Sequence, residues 1–183
     1  MSDLWVFGYG SLMWRPGFSP EEAVQARLCG LHRSLCIYSW VHRGTQAVPG
    51  LVLGLDRGGS CIGTAFRIPA DNAESVVAYL RARELVTNVY LETRRRIMLE
   101  DGTGRRVEAL VYKVDRRHVQ YAGRLPIDVQ AEIVRSGRGE SGHNLDYVLS
   151  TARHLEELGV RDHPLERLAH TLLNGKAGPS GSD

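Results

Sequence analysis

Residues 7–12 read Phe-Gly-Tyr-Gly-Ser-Leu, directly after Leu4-Trp5-Val6. Val6 and Phe7 have the character of a buried strand. Gly8 and Gly10 then permit positive φ and bring bare backbone up to a ligand. A turn of this kind at a strand end aims several N–H groups, here those from Tyr9 to Ser11, at one anion or oxyanion. A plain strand-to-loop bend with Ser11 as a local cap fits the same residues. Ser11 lacks the flanking Gly-x-Ser-x-Gly elbow of acyl-serine hydrolases, so a nucleophilic role has weak support.

Glu84 is the second residue of interest. Residues 71–86 carry a helical pattern in which Asp71 reads as N-cap with Glu74 at N3, a capping-box arrangement. At about 100° per residue, Ala73, Val76, Val77 and Leu80 share one face. Glu84 falls in the middle of that face, four residues after Leu80. A carboxylate on a core-facing stripe is costly unless it is paired, protonated or functional. A buried salt bridge to an arginine, or a helix end already in solvent, would also account for it. By contrast Glu74 reads as a cap and Glu92 as an exposed strand residue.

A second glycine-rich run, Gly137-Arg138-Gly139-Glu140-Ser141-Gly142, precedes a helical pattern that starts near Asn144. Leu145, Val148, Leu149, Ala152 and Leu155 form its stripe, and Gly159 is a natural C′ residue. Tyr147 lies off the stripe, positioned either to offer its hydroxyl to a neighbouring pocket or to sit on the surface.

Other chemistries lack their signatures. The seven histidines show no His-Glu-x-x-His and no Cys/His cluster, so no catalytic metal is expected. Met13 stands where a dinucleotide fingerprint needs glycine. No phosphate-binding Gly-x-x-x-x-Gly-Lys-Ser/Thr run occurs, and no cofactor is expected. The net charge of +2, with scattered arginines and 7% aromatic residues, argues against nucleic acid. Clusters at Arg94–Arg96, Arg105–Arg106 and Arg116–Arg117 read as solvated edge strands near turns.

The elements that must position these residues follow from pattern and composition. With 183 residues, 43% apolar and 24% charged, the chain is expected to form a single globular domain over 1–173. Its Gly/Ser/Pro-rich tail, 174–183, is expected to be disordered. Strand-like runs fall at 3–9, 31–38, 50–56, 60–68, 90–99 and 106–114, separated by turn signals such as Asp56-Arg57-Gly58-Gly59. Helical patterns fall at 71–86, 126–136, 144–158 and 163–173. The class is α+β, with a largely antiparallel or mixed sheet able to curl into a barrel. No run approaches the ~18 apolar residues that span a bilayer, and no signal peptide or membrane partner is expected. Three cysteines, Cys29, Cys36 and Cys61, form no even disulfide set and read as buried structural thiols, which fits a cytoplasmic protein.

The ordered set of these pieces resembles the ChaC family of γ-glutamylcyclotransferases. The resemblance rests on Val6-Phe7-Gly8-Tyr9-Gly10-Ser11-Leu12, His42-Arg43-Gly44-Thr45 with Pro49-Gly50, and Gly63-Thr64-Ala65-Phe66-Arg67. It continues through Tyr79-Leu80-x-x-Arg83-Glu84, Ser141-Gly142-x-Asn144-x-x-Tyr147, and the stretch from Thr151 through Gly159 and Asp162. It implies a small mixed β-barrel with flanking helices and a lyase-type, metal-independent cleavage of glutathione to 5-oxoproline and Cys-Gly. Val6 to Ser11 map onto the family's substrate loop and Glu84 onto its catalytic glutamate; Tyr147 and Arg43 are further candidates for substrate contacts. Leu85-Val86-Thr87-Asn88-Val89-Tyr90 stands where eukaryotic members carry a glycine pair and resembles bacterial members instead. Cyclotransferases for other γ-glutamyl-amino acids or γ-glutamylamines would share the turn and Glu84. A non-catalytic anion-binding module would gain nothing from an inward carboxylate. The sequence leaves the oligomeric state open.

Overall fold

The structure is a computed structural model and describes residues 3–85 and 88–175. Val86, Thr87 and residues 176–183, where the expected helix end and most of the expected tail fall, lie outside the described residues. Five strands close into a barrel in the order β1-β3-β2-β4-β5. They are β1 (Leu4–Gly8), β2 (Glu22–Ser39), β3 (Gly50–Ile68), β4 (Tyr90–Leu99) and β5 (Arg106–Val114). The sheet is mixed: β1 runs antiparallel to β3 with Val6 opposite Phe66, and parallel to β5 with Val6 opposite Leu110. β4 pairs antiparallel with β5 over nine positions and with β2 at Ala26–Leu99.

β1, β4 and β5 lie where the alternation and β-branched content put them. The two long strands do not. The Asp56-Arg57-Gly58-Gly59 signal is no turn: Gly58 and Gly59 adopt φ of 100° and 64° inside one continuous β3. Glycine lets a strand bulge at such a point without ending it. β2 begins at Glu22, nine residues earlier than expected, through a segment whose burial alternates residue by residue as far as Leu28. Because the barrel closes, β4 is paired on both sides. Among the described residues it meets β2 only at Ala26–Leu99 and Arg27–Met98, and Arg94, Arg95 and Arg96, all exposed, lie on the stretch that pairs with β5.

The chain's contacts fall into two compact units. The first comprises residues 1–34 and 53–121, the second residues 35–52 and 122–183. In the first, α1 (Ala70–Glu84) packs Val76 and Leu80, with Ala73 and Val77 partly buried, on Leu4, Val6, Leu12, Phe66, Ile68, Leu110 and Tyr112. The expected capping box is absent. Pro69 is the N-cap, no side chain caps the helix, and Asp71 lies inside the first turn, where its charge complements the helix dipole.

In the second unit, α2 (Ile127–Ser136), α3 (Asn144–Glu157) and α4 (His163–Asn174) pack on one another. Ala131, Val134, Val148, Leu155, Leu165, Leu168 and Leu172 are buried there. Gly159 terminates α3 with φ 69°, and the Asp162 carboxylate caps α4 by accepting from the Leu165 amide at 3.0 Å. Asn174 closes α4 and does not open the tail. A short hairpin, β6 (Arg138–Gly139) and β7 (Gly142–His143), precedes α3. No helix among the described residues is long and apolar enough to cross a membrane.

Candidate active site

The α1 stripe carries Glu84 to the helix's last residue, where the Leu85 amide closes on the Arg81 carbonyl at 3.0 Å. The Glu84 side chain is only 17% exposed, and Arg83 Nε lies 3.4 Å from its Oε1. No backbone amide or hydroxyl among the described residues donates to it. Desolvation therefore dominates and pushes its pKa above the ordinary carboxylate value, with the Arg83 charge opposing. Such a carboxyl holds and releases a proton nearer neutral pH than a solvated one does.

Glu92 makes the contrast. It is partly buried, not exposed as its sequence position suggests. Both of its oxygens accept from Arg81, at 2.9 and 2.8 Å, and one accepts from the Tyr112 hydroxyl at 3.0 Å. The Arg81 bonds hold its carboxyl below the usual range against some desolvation, with the Tyr112 bond assisting. Tyr112, buried on β5, is pushed above an ordinary phenol by burial and by Glu92, and the Glu84 charge acts in the same direction.

β1 delivers the glycine turn. Val6 and Phe7 are 0% and 1% exposed and paired in the sheet, so they anchor the turn from the core and neither presents a surface to a ligand. Gly8, Tyr9 and Gly10 follow, and Ser11–Met13 form a single 3-10 turn closed by the Met13 amide on the Gly10 carbonyl at 2.9 Å. Neither Gly8 nor Gly10 uses the positive φ expected of it, and crowding that disfavours a side chain is found at Gly8 alone. A Cβ on Gly8 would lie 3.1 Å from both Leu12 Cβ and the Phe66 ring, while one on Gly10 would meet only Leu53, at 3.8 Å. Among the described residues the Gly10 and Ser11 amides donate to no protein acceptor. The turn therefore offers two unused donors at an open face.

Ser11 is exposed, and its Oγ accepts from Arg83 Nη2 at 2.8 Å. Among the described residues no histidine or carboxylate is bonded to it to activate it as a nucleophile. Its hydroxyl proton stays available to a ligand. The same arginine thus touches the turn at Ser11 and the carboxylate at Glu84.

A second arginine supports the turn from below. Arg33, 7% exposed on β2, donates from Nε to the Tyr9 carbonyl and from Nη2 to the Ile62 carbonyl, each at 2.6 Å. Sequence reasoning missed it, although the signal was there. Leu31, Arg33 and Leu35 alternate on the buried face of β2, so Arg33 is a charge on an inward strand position, as Glu84 is on an inward helix position.

Tyr147 and Arg43 lie in the second unit. Tyr147 is half-buried, with the Arg43 guanidinium 5.3 Å from its ring centre. Arg43 Nη1 donates to the Ser141 carbonyl at 2.6 Å and lies 3.4 Å from that of His143. Arg43 thus braces the hairpin that leads into α3. Of the thiols, Cys36 and Cys61 are buried, but Cys29 is exposed, against expectation, because it precedes the positive-φ Gly30 on an outward stretch of β2. Among the described residues no three His, Cys, Asp or Glu side chains gather as metal ligands.

Comparison with known proteins bears on the family and the fold. The family model for ChaC-like proteins matches residues 4–174. The chain is 37% identical over 165 residues to the glutathione-specific gamma-glutamylcyclotransferase of Escherichia coli (strain K12), covering 90% of this chain and 71% of that one. It is 34% identical over 176 residues to the enzyme of the same name from Schizosaccharomyces pombe, covering 85% and 84%. A crystal structure of a gamma-glutamyl cyclotransferase specific to glutathione from yeast superposes with a TM-score of 0.85. It covers 99% of this chain and 100% of that one at 23% identity. That likeness establishes a shared α+β fold with a small mixed barrel. The family match, spanning nearly the whole chain, and the two relatives above 30% identity go further: the chain belongs to the ChaC family.

Proposed function

We propose that this protein is a γ-glutamylcyclotransferase that cleaves glutathione to 5-oxoproline and Cys-Gly, with Glu84 as general base and general acid. The observation that carries the reading is the desolvated Glu84 carboxylate, which apart from its Arg83 ion pair accepts no hydrogen bond from the described residues, joined through Arg83 to a turn with two unused amides. The names of the relatives supply the substrate, and the family match over 4–174 supports reading 1–173 as one functional domain.

In the reaction the α-amine of the γ-glutamyl group attacks its own γ-carbonyl carbon and closes a five-membered lactam. The new N–C bond replaces the bond to the departing amine, so neither water nor an oxidant is consumed. Two protons leave the α-nitrogen, which passes from ammonium to lactam N–H, and two reach the departing nitrogen. Glu84 takes each proton and returns it, beginning and ending ionised. Holding the folded γ-glutamyl chain in attack geometry is worth roughly 7–11 kcal/mol. Val6 to Gly8 bring the backbone to the cradle. The Gly10 and Ser11 amides meet the substrate carboxylate or the developing oxyanion. The three free thiols support a reducing compartment, and we place the protein in the cytoplasm on that ground.

The test is incubation with glutathione and assay of 5-oxoproline and Cys-Gly, beside γ-glutamyl-alanine and Glu84→Gln. Product from glutathione alone supports the stated substrate; equal product from γ-glutamyl-alanine moves the reading to a broader cyclotransferase. Glu84→Gln keeps size and reach but removes the base, so turnover should fall about 10²–10⁴-fold. Near-normal turnover by the folded variant sinks the assignment.

A further inference from the structure

The last turn of α1 carries a second charged side chain whose contacts the reaction does not consume. Arg83 Nη2 donates to Ser11 Oγ at 2.8 Å, and Nη1 donates to the Arg15 carbonyl at 2.8 Å. Nη1 also lies 3.1 Å from the Tyr79 hydroxyl and 3.5 Å from the Pro16 carbonyl, and Nε faces Glu84 at 3.4 Å. One planar guanidinium thus holds both ends of the 11–16 segment against the helix end that bears the carboxylate. The same segment is fitted to α1 a second way. Gly17 adopts φ 78° with the Tyr79 phenol lying where its Cβ would be, and Phe18 packs edge-on against both Tyr79 and Phe66.

We propose that Arg83 is a positioning residue: it ties the Ser11–Pro16 segment to the end of α1, so that the Gly10 and Ser11 amides and the Glu84 carboxylate keep one spacing. The inference rests on reading Glu84 as the base. Its chemistry is specific to arginine. Five N–H donors in a fixed plane reach a hydroxyl, a carbonyl and a carboxylate at once, whereas a lysine ammonium supplies the charge without the fork. Because Ser11 Oγ accepts from Arg83, the Ser11 hydroxyl keeps its own proton for another acceptor. The geometry costs little entropy to maintain, because Tyr79 and Arg83 are one helical turn apart and brace each other.

Charge and geometry are separable by substitution. Glu84 is faced by Arg83 on its own helix and by Tyr112 on β5, whose hydroxyl is bonded to the Glu92–Arg81 pair from β4 and α1. Of these only Arg83 is a cation in contact with it among the described residues. Removing that cation leaves desolvation unopposed and moves the Glu84 titration further up.

The experiment uses the whole chain in three forms: wild type, Arg83→Gln and Arg83→Lys. Each is read by amide hydrogen exchange, by carbon-13 titration of the Glu84 carboxyl in the free protein, and by the pH profile of kcat/KM for glutathione. In Arg83→Gln the Met13 and Arg15 amides, which donate to the Gly10 and Ser11 carbonyls, should exchange at least about tenfold faster. The Glu84 midpoint should rise, the acid limb of the profile should move up with it, and kcat/KM should fall on the order of 10²-fold. Arg83→Lys should keep the wild-type midpoint while still loosening the turn and lowering kcat/KM. Unchanged exchange and an unchanged Glu84 midpoint in Arg83→Gln overturn the inference. If Arg83→Gln does not fold, Arg83→Lys decides: wild-type exchange and wild-type kcat/KM in that variant overturn it equally. Exchange and titration need no turnover. A wild-type protein that leaves glutathione intact therefore defeats the proposed function while the Arg83 arms still read out.

Discussion

Gly10, in the turn after β1, and Gly139, in the β6–β7 hairpin, both belong to glycine-rich runs of the sequence, but their surroundings differ in kind. A Cβ on Gly10 would meet only one Leu53 methyl, at ordinary contact distance; a Cβ on Gly139 would overlap the Val41 carbonyl oxygen and the backbone of His42 and Arg43. The buried polar groups of the two regions differ in the same way. Asn144 is wholly buried, and its amide closes on one residue: Oδ1 accepts from the Leu51 amide and Nδ2 donates to the Leu51 carbonyl, both at 2.7 Å. The Glu84 side chain, 17% exposed, has the Arg83 ion pair and accepts no other hydrogen bond from the described residues. At Gly139 and Asn144 the protein itself takes up the volume and the bonding capacity. Around the turn, volume and bonding capacity are left for something else, which is the physical mark of a binding site.

The largest effect expected from this contrast is at Gly139. Gly139→Ala forces backbone apart on both sides of the overlap, so the variant should lose more than about 4 kcal/mol or fail to fold, read by denaturant unfolding. A Gly139→Ala protein with wild-type stability would mean the hairpin region has slack and would erase the distinction. Asn144→Ala comes next. It strands the Leu51 N–H and C=O, both buried, at about 1–3 kcal/mol each. The loss should appear as a lower denaturant midpoint with an unchanged slope, since the surface exposed on unfolding stays the same. A drop below 1 kcal/mol would show that water reaches Leu51.

Which parts of this were legible beforehand depended on range. Glu84 could be found because a helix repeats every 3.6 residues and Val76, Leu80 and Glu84 lie within two and a half turns of one another. Arg33 obeys the equally local period of two, between Leu31 and Leu35, and was readable by the same logic. The run through Gly58 and Gly59 was misread because a glycine pair after an aspartate looks the same at a bulge and at a turn. Only the partner strand decides between them. The role of Arg83 was not readable at all: its partners Ser11 and Arg15 lie about seventy residues away, and no local period connects them. For the same reason Gly10 and Gly139 look alike in sequence. What separates them is which backbone lies across from each.

Gly10→Ala sharpens the contrast from the other side. Its Cβ has room, so stability should stay within about 0.5 kcal/mol of wild type. The methyl group nonetheless stands on the open face of the turn and should cut kcat/KM for glutathione by about 10²-fold, the cost of displacing a bound group by an ångström. Full activity would show that the face left open at Gly10 is not the one the substrate uses.

The smallest effect has the most diagnostic sign. A carboxyl whose folded pKa is raised destabilises the folded protein once it ionises, so Glu84→Gln should be more stable than wild type near pH 8 while being far less active. The gain should read as a few degrees in Tm, at about 2–4 °C per kcal/mol for a chain of this length. The sign of its pH dependence follows from linkage. Below the ordinary value of 4.5 the carboxyl is neutral in both folded and unfolded chains, and the two proteins should melt together. As pH rises from there the unfolded chain ionises while the folded one resists, so the gap opens up to the elevated folded pKa and is complete above it. Glu92→Gln should behave oppositely. Its carboxyl is held low by Arg81, so its contribution is present above the unfolded value and lost on acidification through the folded one. A Glu84→Gln gap that widens toward acid would place Glu84 with Glu92, as a paired structural carboxylate, and the region around the turn would lose its claim to chemistry.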